Sequence, residues 1–472
     1  MASEADFGVV GMAVMGQNLV LNVEGRGFSV AVYNRTAERT KEFVEGRAQG
    51  KNIVPTYSLE ELVASLKKPR KVLLMVKAGE PTDAVLAKLF PLLERGDLVI
   101  DGGNAHYADT ERRLSEAEKR GLLYLGTGIS GGEYGALRGP SIMAGGHEEG
   151  YGLVREIFER IAARGPEGPC CGYFGPGSAG HYVKMVHNGI EYAIMETIAE
   201  AYDLMKRGLG MTPDEMAQVF SDWNSRELGG YLVEITERIL RYRDPETGDF
   251  LVERILDTAK QKGTGKWSTQ AALDLGTPAP TIAMAVFSRI ISAFKDERAA
   301  ASKVLSGPDP HLAVDRKEFT ERLFGAAYLS VIAAYAQGFR QLRDASSERG
   351  WDLDLSEVAR VWMAGCIIRS GLLAPIRKAF LDRPELPMLF LAEPFKSAWE
   401  EYHGDLRWVT AKAHEHGLPT PAMDSALAFV DAYRTERLPA NLIQAQRDFF
   451  GAHTYQRVDK EGTFHTDWEA VA

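Results

Sequence analysis

Six residues near the start of the chain, Gly11-Met12-Ala13-Val14-Met15-Gly16, restrict the fold more than any other stretch. They follow an apolar strand pattern at residues 7–10 and open a helical pattern that runs to about residue 24. The run fits G-x-A-x-x-G, a relaxed form of the dinucleotide fingerprint. Gly11 permits a tight turn. Ala13 stands where a second glycine usually lets backbone approach a pyrophosphate, and Gly16 lets the helix pack close to the strand. Amides at the helix start then face negative phosphates. A merely structural glycine turn is the plainer alternative, and the downstream sequence argues against it. Apolar runs recur at residues 28–33, 71–76, 98–101 and 122–125, each followed by a Gly-containing loop and a helical segment. That β-α-β rhythm predicts a parallel sheet covered by helices.

The second strand ends at Tyr33-Asn34-Arg35-Thr36. An NAD enzyme normally places Asp or Glu here to hold the ribose 2'-hydroxyl. A carboxylate would repel a 2'-phosphate, whereas Asn34, Arg35 and Thr36 offer donors and one fixed positive charge, so the expected cofactor is NADP. Val76-Lys77-Ala78-Gly79 and Asp101-Gly102-Gly103-Asn104 end later strands, where loops border the ligand crevice. Asn104 is placed to touch both nicotinamide and substrate, or else only to stabilise its turn.

The rhythm stops at Gly175-Pro176-Gly177-Ser178-Ala179-Gly180. Beyond it nearly everything has helical period, beginning with a segment from about 181 to 207 that is long enough to thread a large helical domain. The expected architecture is an α/β N-terminal Rossmann-type domain (1–177), a large all-α domain (178–437) and a C-terminal tail (438–472). The tail is polar but carries aromatics, Arg447 and His453, which points to docking against something. Residues 215–220 and 357–362 resemble each other, and both duplication of a helical unit and chance account for that. The net charge of -10, from 55 Lys+Arg against 65 Asp+Glu with no long basic block, makes nucleic acid an unfavourable partner. Three cysteines, Cys170, Cys171 and Cys366, form neither a disulfide framework nor metal-ligand spacing. The N-terminus, Met1-Ala2-Ser3-Glu4-Ala5-Asp6, is acidic and unlike a signal peptide, and no apolar run approaches a membrane span. A cytoplasmic protein is expected.

The chemistry is expected on the helix after the boundary. Lys184, His187, Asn188 and Glu191 are offset by three, four and seven residues, which puts them on one face. An amine and a carboxyl two turns apart suit acid-base work; a solvated polar face is the alternative, but Met185, Val186, Ile190 and Ile194 leave no broad polar face. Backbone amides of Ser130-Gly131-Gly132 can hold a carboxylate. Lys262-Gly263-Thr264-Gly265-Lys266-Trp267 reads as a phosphate-contacting loop without Walker spacing. Arg289 and Arg447 suit bidentate phosphate recognition. Taken singly, each of these is more often a surface residue.

Together these segments resemble the 6-phosphogluconate dehydrogenase family, within the β-hydroxyacid dehydrogenase superfamily, over nearly the whole chain. The resemblance also covers Cys366-Ile367-Ile368-Arg369-Ser370 and residues 444–455. Departures are mild: Tyr134 follows Gly-Gly-Glu where the family more often has Glu, Ser268 stands for the usual Thr, and Ala193 and Ile194 differ from more familiar versions. The resemblance implies oxidation and decarboxylation of 6-phosphogluconate by NADP, without a metal. It implies Lys184 as base and Glu191 as acid. His187 and Asn188 would orient substrate, Asn104 would touch substrate and nicotinamide, and Ser130, Gly131 and Gly132 would hold the substrate carboxylate. Tyr192, Lys262, Thr264, Arg289 and Arg447 would hold its phosphate. It further implies a homodimer in which Arg447 and His453 of the tail complete the neighbour's site. A dehydrogenase for a smaller acid such as hydroxyisobutyrate would share the cofactor fold and the lysine but lack the helical extension, the Lys262 loop and the tail. A non-catalytic NADP-binding protein would not need Lys184 and Glu191 together.

Overall fold

The computed structural model describes residues 4–471, so Met1, Ala2 and Ser3 of the acidic N-terminal stretch lie outside the described residues. The chain divides into two compact units, Met1–Ala426 and Leu427–Ala472. The first begins with β1 (Phe7–Val10), α1 (Val14–Gly25), β2 (Val30–Tyr33), α2 (Ala37–Glu45), β3 (Ile53–Thr56), α3 (Leu59–Ala64), β4 (Lys71–Leu74), α4 (Glu80–Leu89), β5 (Leu98–Asp101) and α5 (Tyr107–Glu118). It continues with β6 (Leu123–Ser130), α6 (Gly132–Arg138), β7 (Ser141–Gly146), α7 (Glu148–Ile161), a small hairpin of β8 (Arg164–Gly165) and β9 (Gly168–Pro169), and β10 (Cys171–Tyr173). Eight strands form one sheet in the order β10-β7-β6-β5-β4-β1-β2-β3. Because side chains alternate along a strand, the apolar strands feed two cores. Phe7, Val9, Leu73, Leu98 and Ile100 pack on one face, and Val10, Val72, Leu74 and Val99 on the other.

Three features depart from the expected rhythm. Ile53-Val54-Pro55-Thr56 is a strand beyond the five that the apolar runs predict; its proline is tolerated because β3 is an edge. The fifth predicted strand, ended at Leu125, runs on to Ser130 through Gly126 and Gly128. After it β7 turns back antiparallel to β6, so the sheet is parallel only as far as β6 in this direction.

The helical region comprises α8 (Ala179–Asp203), α9 (Pro213–Asn224), α10 (Tyr231–Arg241), α11 (Thr264–Leu275), α12 (Pro280–Ser292), α13 (Lys295–Ala301), α14 (Arg316–Arg349), α15 (Leu355–Trp362), α16 (Leu373–Asp382), α17 (Phe395–Glu415) and α18 (Pro421–Tyr433). The two similar hexapeptides lie in α9 and α15, each started by a side-chain cap, Thr212 and Asp354. The helix α8 begins where the Ser178 amide and hydroxyl both donate to Glu111 Oε1, at 2.9 and 2.6 Å. A carboxylate there favours the helix N-terminus. The first sixteen residues of α8 are buried almost throughout, as expected of a central helix apolar on nearly every side.

In the second unit α19 (Ala440–Gly451) is followed by a chain that folds back, with Tyr455 and Phe464 exchanging backbone hydrogen bonds at 2.8 Å. Among the described residues no helix is long and apolar enough to cross a membrane.

Candidate active site

Glycines let α8 lie directly on the sheet. A Cβ at Gly128 would sit 2.2 Å from Lys184 Cβ, one at Gly126 2.8 Å from His181 Nδ1, and one at Gly145 2.2 Å from the Gly180 amide nitrogen. No side chain fits at those positions without displacing the helix, so β6 and β7 set how deeply Lys184 is sunk. Lys184 Nζ donates to Asn188 Oδ1 at 2.6 Å and lies 3.3 Å from His187 Nδ1. His187 Nδ1 is 3.0 Å from Asn188 Oδ1, and its Nε2 is 3.4 Å from Ser130 Oγ. Every partner is satisfied when Nδ1 carries the proton and Nε2 accepts from the serine. Asn188 Nδ2 donates to Thr264 Oγ1 at 3.0 Å. Glu191 Oε2 lies 3.8 Å from His187 Nδ1. The indole of Trp362 meets the His187 ring edge-on at 5.5 Å.

The electrostatics follow from burial. Lys184 is held below the usual lysine range, chiefly because burial penalises its charge; Glu191 opposes that shift. Burial raises the Glu191 carboxyl above its usual range, against Lys184 and Arg289. His187 is driven well below the imidazole range by burial and then by Lys184, which keeps it neutral. A base and an acid pushed toward each other in this way are the pattern of acid-base sites.

Around this core the structure gathers most of the expected ligands. Arg289 stacks 3.4 Å over the Tyr192 ring, and a Cβ at Gly265 would lie 2.5 Å from that ring, so the end of α12 and the start of α11 both pack on the middle of α8. Lys262 is exposed just before α11. Trp267 meets His106 edge-on at 5.2 Å, which joins the Lys262 loop to the loop bearing exposed Asn104. Gly131 and Gly132 both have positive φ, and a Cβ at Gly131 would lie 2.5 Å from the Gly365 carbonyl oxygen. Arg447 and His453 belong to the second unit, on α19 and just after it.

The dinucleotide turn lies along the same row of strand ends. Gly11 has φ +106, and a Cβ there would come within 2.5 Å of the Met75 carbonyl oxygen. Met75 in turn abuts Gly102, whose Cβ would be 2.7 Å from Met75 Sδ and 3.2 Å from Ile129 Cδ1, the residue before Ser130. The first turn of α1 has neither a side-chain cap nor an acidic residue, with Ala13 and Val14 exposed and Met15 half-buried. Gly16 passes so close to Gly11 that only glycine is accommodated. At the end of β2, Arg35 and Thr36 are exposed. Asn34, expected to offer donors to a phosphate, has both ends engaged internally: its Oδ1 accepts from Met12 N at 3.0 Å and its Nδ2 donates to the Thr36 carbonyl at 3.0 Å. Val76, Lys77 and Ala78 follow β4 beside Gly11, with Val76 half-buried. A glycine cradle, uncapped amides and no carboxylate at the end of β2 fit NADP.

One buried network was not legible in the sequence. Arg113 Nη1 pairs with Asp101 Oδ2 at 3.1 Å, its Nε with Asp83 Oδ1 at 2.8 Å, and its Nη2 donates to the Gly79 carbonyl at 3.1 Å. Tyr124 also donates to Asp101, at 3.2 Å. His181 spans from Thr110 Oγ1, at 2.7 Å, to the Asp101 carbonyl, at 3.1 Å. Arg113 thus ties the loop after β4 to the loop after β5, and His181 ties the latter to α8.

A dinucleotide turn beside a buried amine and a half-buried carboxyl on one helix face defines a nicotinamide-dependent dehydrogenase. Residues 6–175 match the model for the NAD binding domain of 6-phosphogluconate dehydrogenase, and residues 180–468 match that for the 6-phosphogluconate dehydrogenase C-terminal domain. The chain is 54% identical over 467 residues to the NADP(+)-dependent, decarboxylating 6-phosphogluconate dehydrogenase of Bacillus subtilis, covering 99% of each chain. It is 53% identical, again over 99% of each, to the decarboxylating enzyme of Escherichia coli. It superposes with TM-score 0.95 on a Plasmodium falciparum 6-phosphogluconate dehydrogenase, 42% identical, covering 98% of this chain and 100% of that one; that protein was solved apo, with NADP+ and with 6-phosphogluconate. The chain belongs to the 6-phosphogluconate dehydrogenase family.

Proposed function

We propose that Lys184 and Glu191 are the acid-base pair of the reaction, with the other residues gathered on α8, α11 and α12 as its substrate shell. The reaction converts 6-phospho-D-gluconate to D-ribulose 5-phosphate and CO2, with reduction of NADP to NADPH. The observation that carries the assignment is buried Lys184 and half-buried Glu191 on one face of α8, with buried His187 between them. The Gly11–Gly16 turn would hold NADP, which would supply the hydride acceptor for substrate C3. Neutral Lys184 takes the proton from the C3 hydroxyl, because burial disfavours its charged form. The resulting ammonium polarises the C3 ketone, which lies β to the carboxylate and receives the electrons released as CO2 departs. Glu191, whose raised pKa favours the protonated form, delivers a proton to C1 of the enediol. Asn104, His187 and Asn188 orient substrate. Ser130, Gly131 and Gly132 hold its carboxylate, and Tyr192, Lys262, Thr264 and Arg289 its phosphate.

The active state, neutral lysine with protonated glutamate, has the same proton count as the ion pair. The two limbs of the kcat/KM profile therefore belong to the pair. A lowered lysine and a raised carboxyl bring these limbs closer together than the ordinary values of 10.5 and 4.5. Activity rises on the acid side and falls on the basic side, and Glu191→Gln leaves only the lysine limb. A Glu191→Gln profile that keeps both limbs removes Glu191 from the pair.

Arg35, aided by Thr36, selects the 2'-phosphate. Arg35→Ala is expected to weaken NADP binding by about 10- to 100-fold, the loss of one or two hydrogen bonds to a charged group, while NAD binding changes little. Equal loss for both dinucleotides excludes a phosphate role. The working unit is a homodimer with exchanged tails, in which Arg447 and His453 complete the partner's substrate site. Its support is apolar surface left uncovered in each unit: Phe287, Ile291 and Phe294 in the first, Leu442, Ile443, Phe449 and Phe450 in the second. The enzyme works in the cytoplasm, consistent with Cys170 and Cys171, adjacent and both free.

A further inference from the structure

Asp448 is fully buried although its neighbours Arg447, Phe449 and Phe450 are exposed. Its Oδ1 accepts from Thr454 N at 2.9 Å and lies 2.9 Å from His465 Nδ1. Its Oδ2 accepts from Thr466 N at 3.1 Å and from Trp468 Nε1 at 2.9 Å. One carboxylate thus draws two distant stretches of the tail onto the end of α19. The residues either side of His453 are in left-handed backbone: Ala452 has φ 46 and Thr454 φ 60. A β-branched residue seldom adopts that conformation, and it persists only where surroundings over-determine it. Here the Ala452 amide donates to the Asp448 carbonyl at 2.9 Å, the Thr454 amide to the Asp448 carboxylate, and Gln444 Nε2 to the Thr454 carbonyl at 2.6 Å. The other end of the Gln444 amide, Oε1, accepts from Arg447 Nη1 at 3.0 Å. Residues 444, 447 and 448 share one helical face, so both ends of the arrangement are read from α19.

We infer that Asp448 and Gln444 are positioning residues that preset Arg447 and His453 as a single substrate-receiving unit within the tail. The inference rests on the proposed role of Arg447 and His453 as substrate ligands. Setting both groups in advance removes an ordering cost that binding would otherwise bear. The charge of Asp448 matters as well as its shape. Its partners present N–H groups, and an asparagine in its place would turn an NH2 toward at least one donor. Four such partners outweigh the effect of burial and bring the carboxyl down to about 2.

The test uses full-length enzyme at saturating NADP with varied 6-phosphogluconate. Asp448→Asn and Gln444→Ala are each expected to raise KM for 6-phosphogluconate by about tenfold, with KM for NADP and subunit assembly unchanged. Arg447→Ala and His453→Ala are measured alongside. Because the clamp acts through both ligands, Asp448→Asn added to the Arg447→Ala/His453→Ala double variant should raise KM by less than about twofold further, whereas a purely structural role would multiply the effects. Multiplied effects overturn the inference, as does an unchanged KM in Asp448→Asn while Arg447→Ala and His453→Ala both raise it. If Arg447→Ala and His453→Ala leave KM unchanged, the ligand assignment itself falls and the inference with it. If Asp448→Asn does not assemble, Gln444→Ala decides through the same comparison with Arg447→Ala.

Discussion

Lys184→Ala lowers turnover by about 10⁴-fold, because the change removes both the base that opens the reaction and the ammonium that polarises the ketone. Each contribution alone is worth about 10²-fold or more. NADP affinity stays near normal, since Lys184 faces Asn188 and His187 and not the Gly11 turn. Lys184→Arg does not restore activity: a guanidinium remains charged at any working pH and cannot accept the proton. Single-turnover measurement of NADPH formation separates this from a defect in product release. Near-normal turnover in Lys184→Ala, or recovery in Lys184→Arg, would falsify the assignment of the base.

How much of this was readable beforehand depended on whether the signal was local. Gly11 and Gly16 announce themselves because a tight turn and a close helix need glycine at fixed spacing. Lys184, His187, Asn188 and Glu191 were legible because helical period alone puts them on one face. The strand at residues 53–56 is not legible in the sequence, because four residues with a central proline carry little periodicity. The continuation of β6 to Ser130 was hidden by Gly126 and Gly128, which read as loop residues yet are strand residues whose missing side chains admit α8. The position of Asn34 predicts donors for the cofactor, because that place at the end of β2 is the usual one. Its engagement with Met12 N depends on the approach of two chain segments that no local pattern reports. Trp362, edge-on to His187 from far along the chain, was unreadable for the same reason.

The second large effect is on stability. Arg113 and Asp101 are almost completely buried, at 0% and 1% side-chain exposure, with N–O separation 3.1 Å. Arg113→Met preserves much of the stem's packing but leaves the Asp101 charge without its main partner. Removing one member of a buried pair costs about 3–5 kcal/mol. The denaturation midpoint should fall accordingly at unchanged slope. Asp101→Asn added to Arg113→Met should recover part of the loss, because the orphaned charge is gone while the amide oxygen can still accept from Gly103 N and the amide NH2 can donate to the Tyr124 hydroxyl. Since Arg113 also holds the Gly79 carbonyl, KM for NADP should rise in the single variant. A shift below about 1 kcal/mol, the size of an exposed pair, would mean that the network does not organise these loops.

The absence of side chains where α8 meets β6 and β7 limits how such an enzyme can be diversified. On that side, enlarging a residue pushes on the amine's own backbone, so the wall cannot be reshaped to suit another acid without dislodging the chemistry. Freedom to accept a different substrate lies among Lys262, Thr264 and Arg289, where side-chain contacts such as Arg289 over the Tyr192 ring and Asn188 to Thr264 can be exchanged. Redirected specificity in this scaffold should therefore accumulate changes on α11 and α12 and leave Gly126, Gly128, Gly145 and Gly180 alone.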